Sequence, residues 1–119
     1  MKILVVDDED IVRRTTRAVL ERKGYRVLLA ENGQQAVELF RDRAPEISLV
    51  LLDLTMPVMG GEEAARYLHA IRHDVPILVS SGYNESEVVR RFAGSRVAGF
   101  VRKPYTASAL LDRIKATLG

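Results

Sequence analysis

There is no cysteine in the 119 residues of this chain. Disulfides, thiolate metal sites and a cysteine nucleophile are therefore excluded, in agreement with a reducing compartment. Long hydrophobic runs are missing too: no apolar stretch nears the roughly 20 residues that a membrane span needs, so no membrane contact by this domain is expected. The N-terminus enters a strand at Ile3 without the basic n-region, apolar h-region or small-residue cleavage site of a secretory leader, and the cytoplasm is the expected location. Neither sign of charge dominates. There are 18 Lys and Arg against 16 Asp and Glu, net +2, too balanced to argue for direct nucleic-acid binding. Internal repeats and linkers are not visible, and turn signals such as Pro57, Gly60-Gly61 and Gly82 are scattered singly. What is present is 47% hydrophobic and 29% charged, an ordinary globular composition at a length that suits one domain spanning 1–119.

Short apolar runs alternate with amphipathic stretches from end to end, the pattern of an α/β domain with a mainly parallel sheet. Strands are predicted near 2–7, 26–30, 48–53, 76–80 and 97–102, the third being the most continuously apolar and so the expected centre. Helices fill the intervals. The first runs from about Asp10 to Lys23 and stops at Gly24, a C-cap residue before the β-prone Tyr25. The second starts after Asn32-Gly33 and buries Ala36, Val37, Leu39 and Phe40. Ala64, Leu68 and Ile71 mark the inner face of the third, and Leu110, Ile114 and Leu118 that of the fifth. The fourth, around Val88, Val89 and Phe92, is interrupted by Arg90 and Arg91 and is expected to be the most mobile.

Asp53 ends the run Leu49-Val50-Leu51-Leu52, where a lone carboxylate is costly to bury. Asp7 and Asp8 end another run, Ile3-Leu4-Val5-Val6; Ser81 and Lys103 follow two more. In open α/β sheets ligands bind outside the carboxyl ends of the strands, so these five residues from four strands meet at one edge. Three neighbouring carboxylates raise each other's pKa unless a cation offsets them. Oxygen-only ligands with room for water suit Mg²⁺, which takes one or two carboxylates plus a phosphoryl oxygen; Mn²⁺ can substitute. With a metal bound, Asp53 is a plausible nucleophile towards phosphorus, with Lys103 and Ser81 on further phosphoryl oxygens. Simpler readings exist for each residue alone. Asp7-Asp8 could cap a helix, Lys103 could be a solvated strand end, Ser81 a turn residue, and Phe100 core.

Together the motifs resemble those of two-component response-regulator receiver domains, over essentially the whole chain. Asp7-Asp8 in VVDDED is similar to the family's acidic pair, Asp53 in LLDLTMPVMGG to its phosphoacceptor, Ser81-Gly82 in PILVSSGY to its Ser/Thr-plus-small pair, and Lys103-Pro104 in GFVRKPY to its lysine and cis-proline. The resemblance implies a flavodoxin-like doubly wound (βα)5 sandwich with strand order 2-1-3-4-5. It implies that Asp8, Asp53 and the backbone carbonyl of Thr55 bind Mg²⁺ directly, with Asp7 acting partly through water. Lys103 would pair with the phosphate, Ser81 would move towards it, and Phe100 would turn inward with Ser81 as the family's switch. Gly61 is similar to the family's loop glycine. Thr55 and Tyr83, each two residues beyond a motif residue, flank the path of a hydrolytic water, so a bulky Tyr83 is expected to slow loss of the phosphoryl group. Such a domain is no enzyme beyond assisting its own phosphorylation and dephosphorylation. Its partners would be a histidine kinase or histidine phosphotransfer domain, and an output domain or protein on the face of the fourth helix, fifth strand and fifth helix.

Other features are less pointed. His69 and His73 have a metal-binding i, i+4 spacing, but no third ligand is evident and a solvated face is the simpler reading. Arg13, Arg14 and Arg17 form either a solvated helix face or a patch for a kinase's histidine domain; Arg90, Arg91, Arg96 and Arg102 could face a partner. A flavodoxin-like electron carrier needs a hydroxyl-rich phosphate loop where Asp7-Asp8-Glu9 stands. An aspartyl-phosphate phosphatase of the haloacid dehalogenase type needs a second acid at Thr55. A degenerate receiver acting only in binding would lack part of the motif set. The SSGYNE and KPYTASALLDRI wording resembles receivers of hybrid sensor histidine kinases, with a stand-alone regulator as the alternative.

Overall fold

The computed structural model describes residues 1–93 and 96–119. Five strands, β1 (Lys2–Val6), β2 (Arg26–Ala30), β3 (Ile47–Asp53), β4 (Ile77–Ser81) and β5 (Gly99–Arg102), alternate with helices α1 (Asp10–Arg22), α2 (Gly33–Arg43), α3 (Gly61–Ile71), α4 (Glu85–Arg91) and α5 (Ala107–Leu118). All strand pairs are parallel, in the order β2-β1-β3-β4-β5. This is the expected doubly wound sheet. Strand alternation divides the core in two. Leu4, Val6, Val50, Leu52, Ile77 and Val79 belong to one buried cluster with α2, α3 and α4, through residues such as Phe40, Leu68 and Val88. Ile3, Val5, Leu49, Leu51, Leu78 and Val101 belong to the other, with Leu20 of α1 and Leu110 and Ile114 of α5.

The element bounds follow local chemistry. α1 ends in a Schellman arrangement, with Tyr25 N donating to Leu20 O and Gly24 N to Glu21 O, and Gly24 at φ 92° where a side chain would be strained. Asn32, Asn84 and Thr106 cap α2, α4 and α5 by accepting from the amides of Gln35, Glu87 and Ala109. β5 starts at Gly99, two residues later than the apolar pattern predicts, although Ala98 N already donates to Ile77 O. α4 is the shortest α-helix among the described residues, in keeping with its interrupted pattern. No described helix is long and apolar enough to cross a membrane.

Candidate functional site

Register brings the site together. β1 and β3 pair Val6 with Leu52, so Asp7 and Asp53, the next residues of each, come side by side at the carboxyl edge. Asp7 continues the inward phase of Ile3 and Val5, Asp53 that of Leu49 and Leu51, and Lys103 that of Val101. One face of the sheet thus carries apolar side chains until its last layer, where it carries charge. Asp7 is 2% exposed and Asp53 5%, while Asp8 is open to solvent. One carboxylate oxygen from each of the three lies within 4.8 Å of the others. Lys103 Nζ is 2.6 Å from Asp7 Oδ2, 3.3 Å from Asp53 Oδ1 and 3.9 Å from Glu9 Oε1.

The charges do not balance. Lys103 is the cation bridging this group of acids, and it sits closer to Asp7 than to Asp53. Burial, reinforced by the neighbouring Asp7, outweighs Lys103 and pushes Asp53 up to about 7. On Lys103 burial opposes the charge, but the hydrogen bond to Asp7 and the nearby Asp53 overcome it and hold the ammonium above its usual range. An uncompensated group of oxygen donors, one of them facing water, fits a hard divalent cation. Three hydrogen bonds hold Asp7 in place. Asp7 Oδ1 accepts from Glu9 N at 2.9 Å, Asp7 N donates to Ala30 O, and the Asp7 carbonyl accepts from Arg13 Nη1 at 2.6 Å.

The remaining predicted residues are at the same edge but not all face the acids. Ser81 continues the opposite phase of β4, after Ile77 and Val79, and its Oγ accepts from Tyr83 N at 2.9 Å in a tight turn. Phe100 is half-buried against the α2–α4 side of the core. Thr55 is exposed on the loop between β3 and α3. Tyr83 is exposed, with the Arg91 guanidinium 4.7 Å from its ring centroid. The Lys103–Pro104 peptide is cis. Gly61 lets α3 start against the end of β3: a Cβ there would lie 2.7 Å from Asp53 O and 2.9 Å from Leu54 Cα. His69 has its Nε2 on Val75 O, and among the described residues the three-acid group that could hold a metal is Asp7, Asp8 and Asp53.

Arg13 requires a correction. Grouped with Arg14 and Arg17 as a basic helix face, it is instead 8% exposed and turned towards β1, while Arg14 and Arg17 are exposed. The signal was in the spacing, because Arg13, Thr16 and Leu20 fall on one side of α1 and all three are buried. Thr16 meets the Tyr105 hydroxyl at 2.8 Å, a link between α1 and the loop after β5 that apolar periodicity does not reveal.

Comparison with known proteins gives one answer. A family model described as the response regulator receiver domain matches residues 3–115. The chain is 35% identical over 118 residues to response regulator RR06 of Streptococcus pneumoniae, covering 99% of this chain and 53% of that protein. It is 33% identical to the chemotaxis protein CheY of Bacillus subtilis, covering 98% of this chain and 97% of that one. The solved receiver domain of the hybrid histidine kinase CckA superposes with a TM-score of 0.85 at 29% identity, covering both chains in full. The chain thus spans about half the length of RR06 and nearly all of CheY.

Proposed function

The chain belongs to the response regulator receiver domain family, and from that premise we propose that Asp53 is its phosphoacceptor. Receiver domains work with histidine kinases and phosphotransfer proteins, so the electron-carrier and phosphatase readings fall away. The observation that carries the proposal is the meeting of Asp53 with Lys103 at 3.3 Å and with Asp7 and Asp8 inside one oxygen cluster. An Asp53 carboxylate oxygen forms a bond to phosphorus as the nitrogen–phosphorus bond of a phosphohistidine breaks, returning the ring to its donor. Lys103 is free to turn its ammonium from Asp53 to the new phosphoryl oxygens, since Asp7 anchors it. Asp8 and Asp53, with the Thr55 carbonyl, would hold Mg²⁺, and Asp7 would act on it partly through water; the ion would supply charge compensation for the incoming phosphoryl group. Ser81 would exchange its bond to Tyr83 N for one to the phosphoryl group, and Phe100 would follow it inward, a two-state shift favoured by the new contacts.

We read 1–119 as one cytoplasmic receiver module that catalyses nothing beyond its own phosphorylation and dephosphorylation, and whose output partner sits on the α4-β5-α5 face. For the parent protein the likeness to the CckA receiver over the whole of both chains supports a hybrid sensor kinase. The near-complete match to CheY supports a stand-alone regulator, and the coding sequence around this segment separates them. For the acceptor itself, incubation with Mg²⁺ and a small-molecule phosphodonor is expected to add one phosphoryl group by intact mass. Full labelling of Asp53→Asn would overturn the assignment.

A further inference from the structure

Arg13 is a charged side chain buried under the loop that carries two of the three acids, and the receiver chemistry leaves it without a role. Its Nη1 donates to the Asp7 carbonyl at 2.6 Å. Its Nη2 is 3.2 Å from Asp10 Oδ1 and 3.6 Å from Glu31 Oε1, so one guanidinium ties the turn after β1 to the turn after β2. The Asp7 carbonyl belongs to the peptide that joins Asp7 to Asp8, and a planar peptide has one orientation for both of its ends. Fixing that oxygen therefore fixes the direction in which Asp8 leaves the backbone. Asp7 has a partner on every polar atom: Ala30 O on its amide, Arg13 on its carbonyl, Glu9 N and Lys103 on its two carboxylate oxygens. Asp8 is exposed, and among the described residues its carboxylate has no hydrogen-bond or ion-pair partner, so its direction is set through that peptide.

We propose that Arg13 is a positioning residue for the metal centre, holding the Asp7–Asp8 peptide so that the exposed Asp8 carboxylate stays within the oxygen cluster it forms with Asp53. The inference rests on the metal centre proposed above. Two simpler roles give different outcomes. A tie that serves only stability leaves Mg²⁺ affinity alone once the protein is folded. A role through charge alone has the opposite sign, because removing a cation beside three carboxylates tightens binding of another. The test titrates Mg²⁺ alone into ¹⁵N-labelled protein, following the Asp8 and Asp53 amides, with urea unfolding run in parallel. Arg13→Met is expected to weaken Mg²⁺ about tenfold, the scale of losing an outer support of a metal ligand. Arg13→Lys keeps the charge with a single donor group in place of the fork and is expected to bind between the two. Parental or tighter Mg²⁺ binding by folded Arg13→Met overturns the proposal. Should that variant not fold, the same reading of Arg13→Lys decides: weaker binding upholds it and parental or tighter binding overturns it. Asp8→Asn separates the premises: if it binds Mg²⁺ like the parent, the metal centre itself is misread, whereas loss there with no loss in Arg13→Met removes the Arg13 role alone.

Discussion

Asp53 is an acid held against its own charge. Its carboxyl moves from the ordinary 3.8 up to about 7, through burial first and Asp7 second. In metal-free buffer, between those two values, the folded chain keeps a proton on Asp53 that the unfolded chain has lost. Unfolding then releases a proton, so stability falls as pH rises from about 4 to about 7 and levels off above. The span sets an upper bound of about 4 kcal/mol on the loss, at 1.36 kcal/mol per pH unit. Asp53→Asn has no charge to bury and is expected to be the more stable protein at pH 8 in EDTA; urea unfolding of both across pH checks it, and parallel curves would remove the argument. Tyr83 poses a second question at this scale. Its backbone amide is bound to Ser81 Oγ and its ring lies under Arg91, so the side chain is held beside the turn proposed to rearrange on phosphorylation. Tyr83→Ala is expected to shorten the lifetime of the phosphorylated form, measured as loss of the added mass over time, and an unchanged lifetime ends the idea.

At the scale of elements, the turn from β3 to α3 depends on a close approach. Gly61 N donates to Leu54 O at 2.9 Å, and the space for a Cβ is already filled by the Asp53 carbonyl and the Leu54 backbone. Gly61→Ala must push α3 away from the end of β3, at a cost of about 1–3 kcal/mol by the scale of overpacking. Because the obstructing atoms belong to Asp53 and its neighbour, phosphorylation is expected to slow as well. Loss of stability with a parental labelling rate would show that the acceptor tolerates the displacement. The sequence made most of these elements legible, since Ile47–Asp53 and Ile77–Ser81 are apolar runs and α1, α3 and α5 have clear inner faces. Where the reading fell short, a polar residue was doing the packing. Arg13 and Thr16 line the inner side of α1, and hydrophobic periodicity counts neither. The place of Ser81 at the end of β4 was legible, but its present bond to Tyr83 depends on rotamer and turn geometry that spacing does not encode.

On the scale of the whole molecule, the two core layers stop at one edge and the acids begin there, so whatever offsets those acids acts on global stability. Asp7 and Asp8 follow β1 and Asp53 ends β3, two strands that only the folded sheet aligns, and the unfolded chain has no comparable site. Binding that favours the folded state alone stabilises it by about 2.7 kcal/mol at one hundred times the dissociation constant. A divalent cation on these acids would favour the ionised Asp53, whereas burial and Asp7 favour the protonated form, so well below pH 7 binding would also displace a proton. The gain from Mg²⁺ is therefore expected to be full at pH 8 and clearly smaller at pH 6. Asp8→Asn is expected to lose most of the gain at both values, because it replaces the exposed carboxylate by a neutral amide without touching the core. Thermal melts with and without saturating Mg²⁺, at both pH values and for both proteins, make the check. An equal gain at pH 6 and pH 8 would mean that Asp53 does not titrate with the metal, and a gain retained by Asp8→Asn would put the ion somewhere other than the three-acid cluster.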